Sequence, residues 1–462
     1  MLRTLFVSLA LSSLSAGLAR QVSPPADVAW YCQQLVKTVD LWNGGLDGTS
    51  GMGVYLPNFE GAYHVNLTRE WDQTGRGRTT SIAQARGIYM NIEAYRATGA
   101  ERFLKAAEQG AQFLLDTFWD EAYGGFYFEA ERSGMVVGRN KQGYGNVFAL
   151  FTLAQLYDIT RKPEHLQAAL KQLDVLEKHF IDPKQPGVVL PGFNFDFSAL
   201  DGYHNVDTFT HYFEGLMALH DVTDGETRTR VDKLITDAGE ALTKVLYKDE
   251  EGFKDRGYVA YNYTSNWEPR QEPYTRNSQW TVARQATTGH NIELAYLISR
   301  AVERGFPSDW LTTADKLKKF VEVHALSPDT GAMLYEVTDY DGKPLPGNPD
   351  NDYYVWWANS ETARAFLHFA VVRKENTLEA FKKQESFIKN HFLDPEYGGW
   401  YQMVHAETLR TFDLTKGNVW TVNYHETMLA AEVLRLGKVY AEQMGNPKTT
   451  CPEVNAPTSS GN

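Results

Sequence analysis

The sequence predicts an all-α fold, an (α/α)6 barrel in which twelve helices form six antiparallel pairs around a central cavity. Two observations support this fold class. Apolar residues recur with the helical period of about 3.6 residues along most of the 462-residue chain. A short segment also repeats in similar form at the end of the second helix of each pair. Long loops with short β-hairpins are expected at one mouth of the barrel.

The helical period is clearest in 81–98, where Ile82, Ile88 and Ile92 fall on a common stripe. Only Thr-Gly-Ala separates this segment from the next, 101–118, and so short a connection makes the two helices antiparallel neighbours. The remaining predicted pairs are 142–160 with 163–180, 205–222 with 227–246, 285–304 with 308–324, and 356–372 with 377–392. Single helices at about 29–41 and 422–443 complete the set of six pairs.

The repeated segment is most complete in 118–127 and 392–401, which both contain an Asp, a Tyr-Gly-Gly sequence and a final Tyr. Weaker copies contain Asp182, Asp249 and Asp329, and the five Asp markers lie 62 to 80 residues apart. A unit of this length holds two helices and a longer loop, and no such unit buries its apolar face alone. Six units are therefore expected to close into a ring; an open helical solenoid is the alternative.

The two ends of the chain suggest export. Residues 1–20 have the features of a secretory signal peptide, with an early arginine, a short apolar run and small residues near the end. This predicts a secreted or periplasmic protein, and a frayed N-terminal helix is the alternative. Residues 21–446 would form a single barrel domain, followed by a tail, 447–462. The only cysteines, Cys32 and Cys451, could form a disulfide that joins the ends, or remain two unpaired thiols.

Composition excludes two classes of partner. The formal net charge is −13 and no run of basic residues occurs, which argues against binding to nucleic acid. After the N-terminal segment, no stretch approaches the roughly 20 apolar residues that a membrane helix needs. The triplets that begin at Asn66 and Asn262 fit the N-glycosylation pattern and agree with an exported glycoprotein. The oligomeric state cannot be read from these features.

Polar residues that could carry chemistry recur in the first turns of the predicted inner helices, which are the first members of each pair. Chance would scatter such residues along the helices, so their recurrence at one level indicates a site at one mouth of the cavity. The candidates are Gln84, Arg86, His211, His290, Glu293, Trp356, Trp357, Glu361 and His425. Taken singly, a helical His is more often structural, and an adjacent Trp pair can be core packing.

His290 and His425 are the predicted acid/base pair, because an imidazole with an ordinary pKa of about 6.5 exchanges protons readily near neutrality. Glu293, three residues after His290, is expected to accept from the second ring nitrogen and fix its tautomer. Arg86 would hold a developing oxyanion, and the tryptophan pair offers flat faces for a sugar ring. Three histidines could instead bind a metal, but none lies at the spacing of a zinc helix motif. No metal or other cofactor is therefore expected.

The segment 289–293, Gly-His-Asn-Ile-Glu, together with Tyr-His-Glu at 424–426, resembles the N-acylglucosamine 2-epimerase superfamily, which includes cellobiose 2-epimerases and mannose isomerases. The resemblance also draws on Gln-Ala-Arg at 84–86, on His211 and on the Trp-Trp segment that ends at Glu361, and it covers most of the mature chain. It implies an (α/α)6 barrel and a metal-free proton transfer at C1 and C2 of a reducing sugar, through an enediol.

The resemblance also assigns roles. It implies that His290 and His425 are the acid/base pair, that Arg86 and His211 hold the carbonyl and adjacent hydroxyls, and that Glu293 orients His290. The substrate would be a mono- or oligosaccharide. The chain departs from the family in its apparent export and in 253–280, an aromatic and polar stretch expected to cover the mouth and set substrate choice. The residues singled out there are Trp267, Glu268, Arg270, Tyr274 and Trp280.

Two other functions remain open from the sequence. A glycoside hydrolase or polysaccharide lyase on the same barrel would use two carboxylates, about 5–10 Å apart in a hydrolase. The carboxylates available for that chemistry are Asp207, Glu214, Glu293 and Glu361. A sugar-binding protein would keep the barrel and its loop aromatics without needing His290 or His425.

Overall fold

The computed structural model describes residues 26–44, 61–75, 77–249, 255–275, 277, 282–412, 414–443 and 451. The predicted signal segment 1–20 lies outside these residues, as does the tail except for Cys451. The described residues contain twelve α-helices, as the sequence predicts. In chain order they are α1 Val28–Asn43, α2 Ser81–Thr98, α3 Glu101–Phe113, α4 Gly143–Thr160, α5 Pro163–Val175, α6 Val206–Val222, α7 Gly225–Ala241, α8 Thr288–Glu303, α9 Leu311–His324, α10 Trp356–Val371, α11 Leu378–Phe387 and α12 Tyr424–Gln443.

The even-numbered helices form a closed inner ring. Each packs against the next, from α2 through α4, α6, α8 and α10 to α12, and α12 packs against α2. The odd-numbered helices lie outside, each against its own inner partner, and α1 contacts both α12 and α2. Contact between the last and first inner helices closes the ring, so the open-solenoid alternative is wrong and the (α/α)6 barrel is confirmed.

Burial explains which helices are inner and which are outer. In α2 every residue from Ser81 to Ala94 is buried, because neighbours surround this helix on several sides. In α7 the buried residues are confined to one stripe that includes Val231, Leu234 and Ala238, and the opposite face is exposed. A one-sided stripe at helical spacing is what a covering helix requires.

Buried Asp–Lys pairs account for the sequence repeat at the ends of the outer helices. Asp120 accepts hydrogen bonds from the backbone amides of the turn that follows it, and Asp394 does the same in its own turn. The second carboxylate oxygen lies 2.8 Å from Lys141 Nζ in the first copy and 2.7 Å from Lys416 Nζ in the last. Both glycines of each Tyr-Gly-Gly turn have φ of 70–80°, a left-handed conformation that glycine adopts without strain.

Short antiparallel strands lie at the end of the barrel where the inner helices begin. They are β1 Arg78–Thr80, β2 Glu129–Glu131, β3 Val136–Gly138, β4 Lys141–Gln142, β5 Gly192–Phe193, β6 Tyr247–Lys248, β7 Tyr258–Val259, β8 Ala286–Thr287, β9 Val337–Thr338, β10 Tyr353–Val355 and β11 Met403–His405. The sheets are β1-β2-β3, β4-β5, β6-β7, β8-β9 and β10-β11. Four of these strands, β1, β4, β8 and β10, lead directly into α2, α4, α8 and α10. The loops therefore gather at one mouth, as expected.

A disulfide joins Cys32 in α1 to Cys451 in the tail, with the two Cα atoms 5.8 Å apart and 419 residues between them in sequence. The unpaired-thiol alternative is therefore wrong. A cross-link over a long loop typically stabilises a fold by about 2–4 kcal/mol. Within the described part of the chain, no helix is both long and apolar enough to cross a membrane.

The two glycosylation triplets differ in accessibility. The Asn262 side chain is fully buried, and its Nδ2 donates to the backbone oxygen of Ala283 at 3.2 Å. A glycan needs an exposed amide, so the Asn262 triplet, which the sequence leaves open, is not an acceptor in the folded chain. Asn66 is half-buried, and glycosylation there stays a prediction.

Candidate active site

A cavity of about 610 Å³ opens at the mouth where the inner helices begin. Its wall takes side chains from all six inner helices, α2, α4, α6, α8, α10 and α12, the last through its first turn. The polar and aromatic residues of the wall are Arg86, Asn140, Gln142, Tyr144, Asp201, Tyr203, Asn205, Asp207, Thr208, Tyr261, His290, Glu336, Trp356, Trp357, Trp420 and His425. The predicted acid/base pair and Arg86 therefore face one space.

Both imidazoles pack against the indole of Trp357. The Trp357 ring lies 4.9 Å from the His290 ring and 5.3 Å from the His425 ring, between ring centroids. A Cβ at Gly289 would lie 2.4 Å from the Trp357 ring, so a glycine at this position lets the indole pack against the first turn of α8. Trp357 Nε1 donates to Glu336 Oε1 at 3.1 Å, which fixes the ring plane. Burial raises the pKa of Glu336 to about 8.

His290 has different partners from those expected. Its Nε2 lies 2.9 Å from Asp207 Oδ1, and its Nδ1 lies 2.7 Å from Thr287 Oγ1, the side chain that caps α8. The prediction that Glu293 orients His290 is wrong. Side chains on a helix lean towards its N-terminus, so the imidazole reaches back to Thr287 and away from Glu293.

His425 is held from a different helix. Its Nδ1 lies 2.8 Å from Glu361 Oε1, and Glu361 is fully buried on α10. Burial, reinforced by the positive charges of Arg86 and Arg364, lowers the pKa of His425 well below its ordinary value. Burial raises the pKa of Glu361 to about 7. His425 is therefore a neutral imidazole at pH 7, with its free edge toward the cavity. Glu361, predicted to bind substrate, instead supports His425.

Arg86 supplies a fixed positive charge to the cavity wall. Its guanidinium donates to Tyr144 Oη at 2.7 Å and to the backbone oxygen of Trp420. It also lies over the rings of Phe148 and Tyr424, at 4.6 and 4.8 Å from their centroids. Tyr144 was not among the sequence candidates, although it occupies the first turn of an inner helix like the others. Its place in the first turn of α4 is the sequence feature that could have identified Tyr144 as a site residue.

His211 lies one layer behind the cavity. Its side chain is 1% exposed, with Nε2 3.2 Å from Tyr144 Oη and Nδ1 3.2 Å from Glu214 Oε2. Burial lowers the pKa of His211 to about 4, so it is neutral at pH 7. Direct contact between His211 and substrate, as predicted, does not fit this placement, because Tyr144 stands between His211 and the cavity.

Gln84 belongs to the outer face of α2. Its amide nitrogen donates to the backbone oxygens of Gly61 and Gly110, and its oxygen accepts from the amide of Tyr63. Residues two apart on a helix point in nearly opposite directions, so Gln84 faces α3 while Arg86 faces the cavity. The prediction that Gln84 binds substrate is therefore wrong.

The comparison with known sequences and structures bears on this site. The sequence pattern of the family described as N-acylglucosamine 2-epimerase matches residues 61–427. The chain belongs to this family. Cellobiose 2-epimerase of Bacteroides fragilis is 24% identical over 389 residues, which cover 81% of this chain and 92% of that protein. D-mannose isomerase of Marinomonas mediterranea is 23% identical over 77% of this chain and 86% of that protein.

Solved structures share the barrel. A crystal structure of D-mannose isomerase matches with a TM-score of 0.74 at 19% identity, over 89% of this chain and all of that one. The structure of cellobiose 2-epimerase from Bacillus thermoamylovorans also matches with a TM-score of 0.74, at 18% identity, over 88% of this chain and 99% of that one. The chain is thus one of the N-acylglucosamine 2-epimerase family, whose relatives here are sugar epimerases and isomerases.

Hydrolases use the same barrel. An unsaturated glucuronyl hydrolase specific for heparin matches with a TM-score of 0.57 at 12% identity, over 92% of this chain and 99% of that one, a likeness of fold alone. In this family member, Asp207 lines the cavity but Glu361 is fully buried behind His425. A hydrolase needs both carboxylates beside the scissile bond, so the pair Asp207 and Glu361 does not form that arrangement.

A cluster of buried acids lies beneath the cavity of this epimerase-family chain. Glu361 lies 3.1 Å from the Arg364 guanidinium, and Glu214 lies 3.8 Å from it. Glu293 is fully buried, and neither of its oxygens has a hydrogen-bond partner in the part of the chain that the structure describes. Burial, followed by the charge of Glu361, raises the pKa of Glu293 well above its usual range. We interpret Glu293 as a protonated carboxylic acid, since one guanidinium cannot neutralise three carboxylates.

The same cluster has the donor set of a metal site. One donor atom from each of Glu293, Glu361 and His425 lies within 4.8 Å of the others. Two of those side chains are already bonded to each other, through His425 Nδ1 and Glu361 Oε1. A proton on Glu293 satisfies the charge balance without an ion, and treatment with a chelator separates the two interpretations.

The stretch 253–280 contributes less to the cavity than expected. Trp267 is 2% exposed and donates from Nε1 to Asp182 Oδ2 at 2.8 Å, so it anchors the loop to the barrel. Glu268, Arg270 and Tyr274 are not among the cavity residues, and Trp280 lies outside the described residues. Among the described residues of this stretch, Tyr261 contributes to the wall, and its hydroxyl donates to Asp207 Oδ2 at 2.7 Å.

The opposite end of the ring carries a second cavity of about 420 Å³. Near it, Ser299 Oγ lies 2.9 Å from His368 Nε2, and His368 Nδ1 lies 3.0 Å from Glu432. This order matches a nucleophile, base and orienting acid. All three side chains are at most 4% exposed and Arg435 also pairs with Glu432, so we interpret the set as a buried structural network.

Proposed function

We propose that this protein is a secreted sugar isomerase or 2-epimerase that transfers a proton at C1 and C2 of a reducing sugar through an enediol. One observation carries the proposal: His290 and His425, each beside its own carboxylate, face one cavity and both pack against Trp357. The names of the relatives, cellobiose 2-epimerase and D-mannose isomerase, agree with a mono- or disaccharide substrate.

The chemistry follows from the partners of each group. The neutral His425 takes the proton from the carbon next to the carbonyl, and the electrons of that C–H bond form the C1–C2 double bond. The carbonyl oxygen becomes an enediolate oxygen, which Arg86 and Tyr144 are placed to stabilise from the cavity wall. Trp356 and Trp357 offer apolar faces on which the sugar backbone can lie.

Exchange with solvent tests this proposal. Glucose, mannose, fructose and cellobiose are each incubated with the protein in deuterated water and followed by NMR. We expect deuterium at C1 or C2, because the proton held by the catalytic imidazole exchanges with solvent before it returns to carbon. Protein treated with a chelator is the matched sample, and its rate should be unchanged. No deuterium in any sugar would reject the proposal, and new reducing ends from a polysaccharide would favour the hydrolase.

Export is part of the proposal and has its own test. The signal-like residues 1–20 support it, and so does the disulfide between Cys32 and Cys451, because such bonds persist in oxidising compartments. We expect the mature protein recovered from its natural compartment to begin near residue 21, and both cysteines to resist alkylation until a reductant is added. Mass spectrometry measures both; an intact N-terminus with two alkylated thiols would indicate an intracellular protein.

A further inference from the structure

The two imidazoles of the site contact their carboxylates through different ring nitrogens. His290 has Asp207 Oδ1 at 2.9 Å from its Nε2, while Thr287 binds its Nδ1. His425 has the opposite arrangement, because Glu361 binds its Nδ1 at 2.8 Å. In the part of the chain that the structure describes, Nε2 of His425 makes no hydrogen bond. The carboxylates therefore mark opposite ring nitrogens of the two histidines.

These contacts show which ring nitrogen of each histidine carries the hydrogen. Nδ1 of His425 carries a hydrogen, because it is hydrogen-bonded to a carboxylate oxygen, which accepts. In His290, Thr287 Oγ1 accepts from the backbone amide and gives its hydroxyl hydrogen to Nδ1, which leaves the ring hydrogen on Nε2, in ion-pair contact with Asp207 at 2.9 Å. His290 therefore has its hydrogen on Nε2 and can donate, whereas His425 has its hydrogen on Nδ1 and a free lone pair on Nε2. Although burial opposes ionisation, contact with His290 lowers the pKa of Asp207, so its carboxylate is charged at pH 7. Tyr261 holds the other oxygen of that carboxylate at 2.7 Å.

Epimerisation and isomerisation place different demands on this arrangement. In a two-base epimerisation, His425 takes the C2 proton and His290 gives its proton to the opposite face of C2. After one turnover Nε2 of His290 is bare beside the Asp207 carboxylate, and His425 holds the extra proton in a buried position near Arg86 and Arg364. In an isomerisation by one base, both imidazoles end the turnover as they began it.

We propose that Asp207 is a positioning residue that keeps His290 in its donor form and so makes this chain an aldose–ketose isomerase rather than a 2-epimerase. This inference rests on the function proposed above. It concerns the outcome of the reaction, which the comparisons leave open, because D-mannose isomerase and cellobiose 2-epimerase match the chain with the same TM-score of 0.74.

The reaction balances without a further reactant. His425 Nε2 takes the C2 proton of the open-chain aldose, the C–H electrons form the C1–C2 double bond, and the carbonyl electrons move to O1, which receives the Nε2 proton of His290. The proton on O2 then goes to His290, the O2 electrons form the C2 carbonyl, and the double-bond electrons at C1 take the proton held by His425. One C2 hydrogen has moved to C1 and one O2 hydrogen to O1.

The ratio of initial products tests the inference. Mannose is added to the wild type and to Asp207→Asn in deuterated water, and fructose and glucose are measured by NMR before either reaches a tenth of the total. For the wild type we expect the ketose to exceed the C2 epimer at least tenfold, with deuterium at C1. In Asp207→Asn the charge is lost while shape is kept, and we expect the ketose excess to fall by at least tenfold. Asp309→Asn removes an exposed acid in the turn before the outer helix α9, away from the cavity wall, and should keep the wild-type ratio.

Each other outcome has a definite meaning. A wild type that makes mainly the C2 epimer, with deuterium at C2, overturns the inference and leaves the proposed function intact. If Asp207→Asn keeps the wild-type ratio of ketose to C2 epimer, Asp207 is not the residue that positions His290. If that variant does not fold, Tyr261→Phe, which releases one oxygen of Asp207, serves instead and should lower the ketose excess by a smaller factor; no change there also overturns the role. No product and no deuterium in the wild type rejects the proposed function itself.

Discussion

Replacement of His425 by Asn is expected to lower kcat by about 10²–10⁴-fold with a small change in KM, which is the usual contribution of a general base. Within the described residues, Nε2 of His425 has no hydrogen-bond partner, and burial together with the charges of Arg86 and Arg364 keeps the imidazole neutral at pH 7. Asn is smaller than His, but its amide nitrogen corresponds to Nδ1, the atom that binds Glu361, while the basic Nε2 is lost. Steady-state kinetics on the preferred sugar measure it.

The control for this variant is His391→Asn, at the end of an outer helix, where the ring packs on Phe387. We expect it to keep full activity.

A second measurement uses pH. The pKa of Glu361 is about 7 because of burial, and the ionised form is the stronger acceptor for the Nδ1 hydrogen, so wild-type kcat should rise as pH increases through 7. Glu361→Gln should flatten that rise. If His425→Asn keeps the kcat of the wild type, His425 is not the general base.

Replacement of Arg364 by Met is expected to lower the free energy of unfolding by about 3–5 kcal/mol, the usual cost of removing one member of a buried ion pair. Arg364 is 1% exposed, lies 3.1 Å from Glu361 and 3.8 Å from Glu214, and covers the ring of Tyr296 at 4.0 Å. Met keeps the apolar contacts but leaves the buried carboxylates without a cation. Denaturant titration followed by tryptophan fluorescence measures the change.

The control is Lys382→Met, which breaks an exposed pair with Glu379 and should change stability by less than about 1 kcal/mol. The pH dependence separates charge from packing. The deficit of Arg364→Met should shrink as pH falls, because protonation then neutralises the unpaired Glu214 and Glu361. The double variant Arg364→Met with Glu214→Gln should recover part of the loss. A deficit that is constant with pH would mean that packing, and not charge, is the role of Arg364.

The fold could be predicted from the sequence because its determinants repeat along the chain. Asp120 and Asp394 each cap a turn of the same type and each pair with a buried lysine. Because the two turns need the same contacts, their sequences are similar and the repeat is visible. The count of twelve helices and the level of the site follow from that repetition. Closure of the ring did not follow from any local pattern, since it depends on contact between α2 and α12.

The partners of the site residues were harder to predict, because they come from other helices. Glu361 binds His425 across 64 residues, and Asp207 contacts His290 across 83. Nothing in the spacing of Glu293 from His290 reveals that a helical side chain leans back toward Thr287. Helical periodicity identified the helices that carry the site residues. The hydrogen-bond partner of each site residue depends on the direction of its side chain, which periodicity does not give.

The bond between Cys32 and Cys451 turns the barrel into a covalent circle. A protease that cuts one exposed loop releases no fragment, since both pieces stay tethered, and two cuts are needed to remove a hairpin. The closed ring should also tolerate circular permutation. New chain ends placed in a surface loop between two helices would leave every inner helix beside its neighbours. A single cut therefore removes no helix from the ring, and this topology protects the catalyst from limited proteolysis.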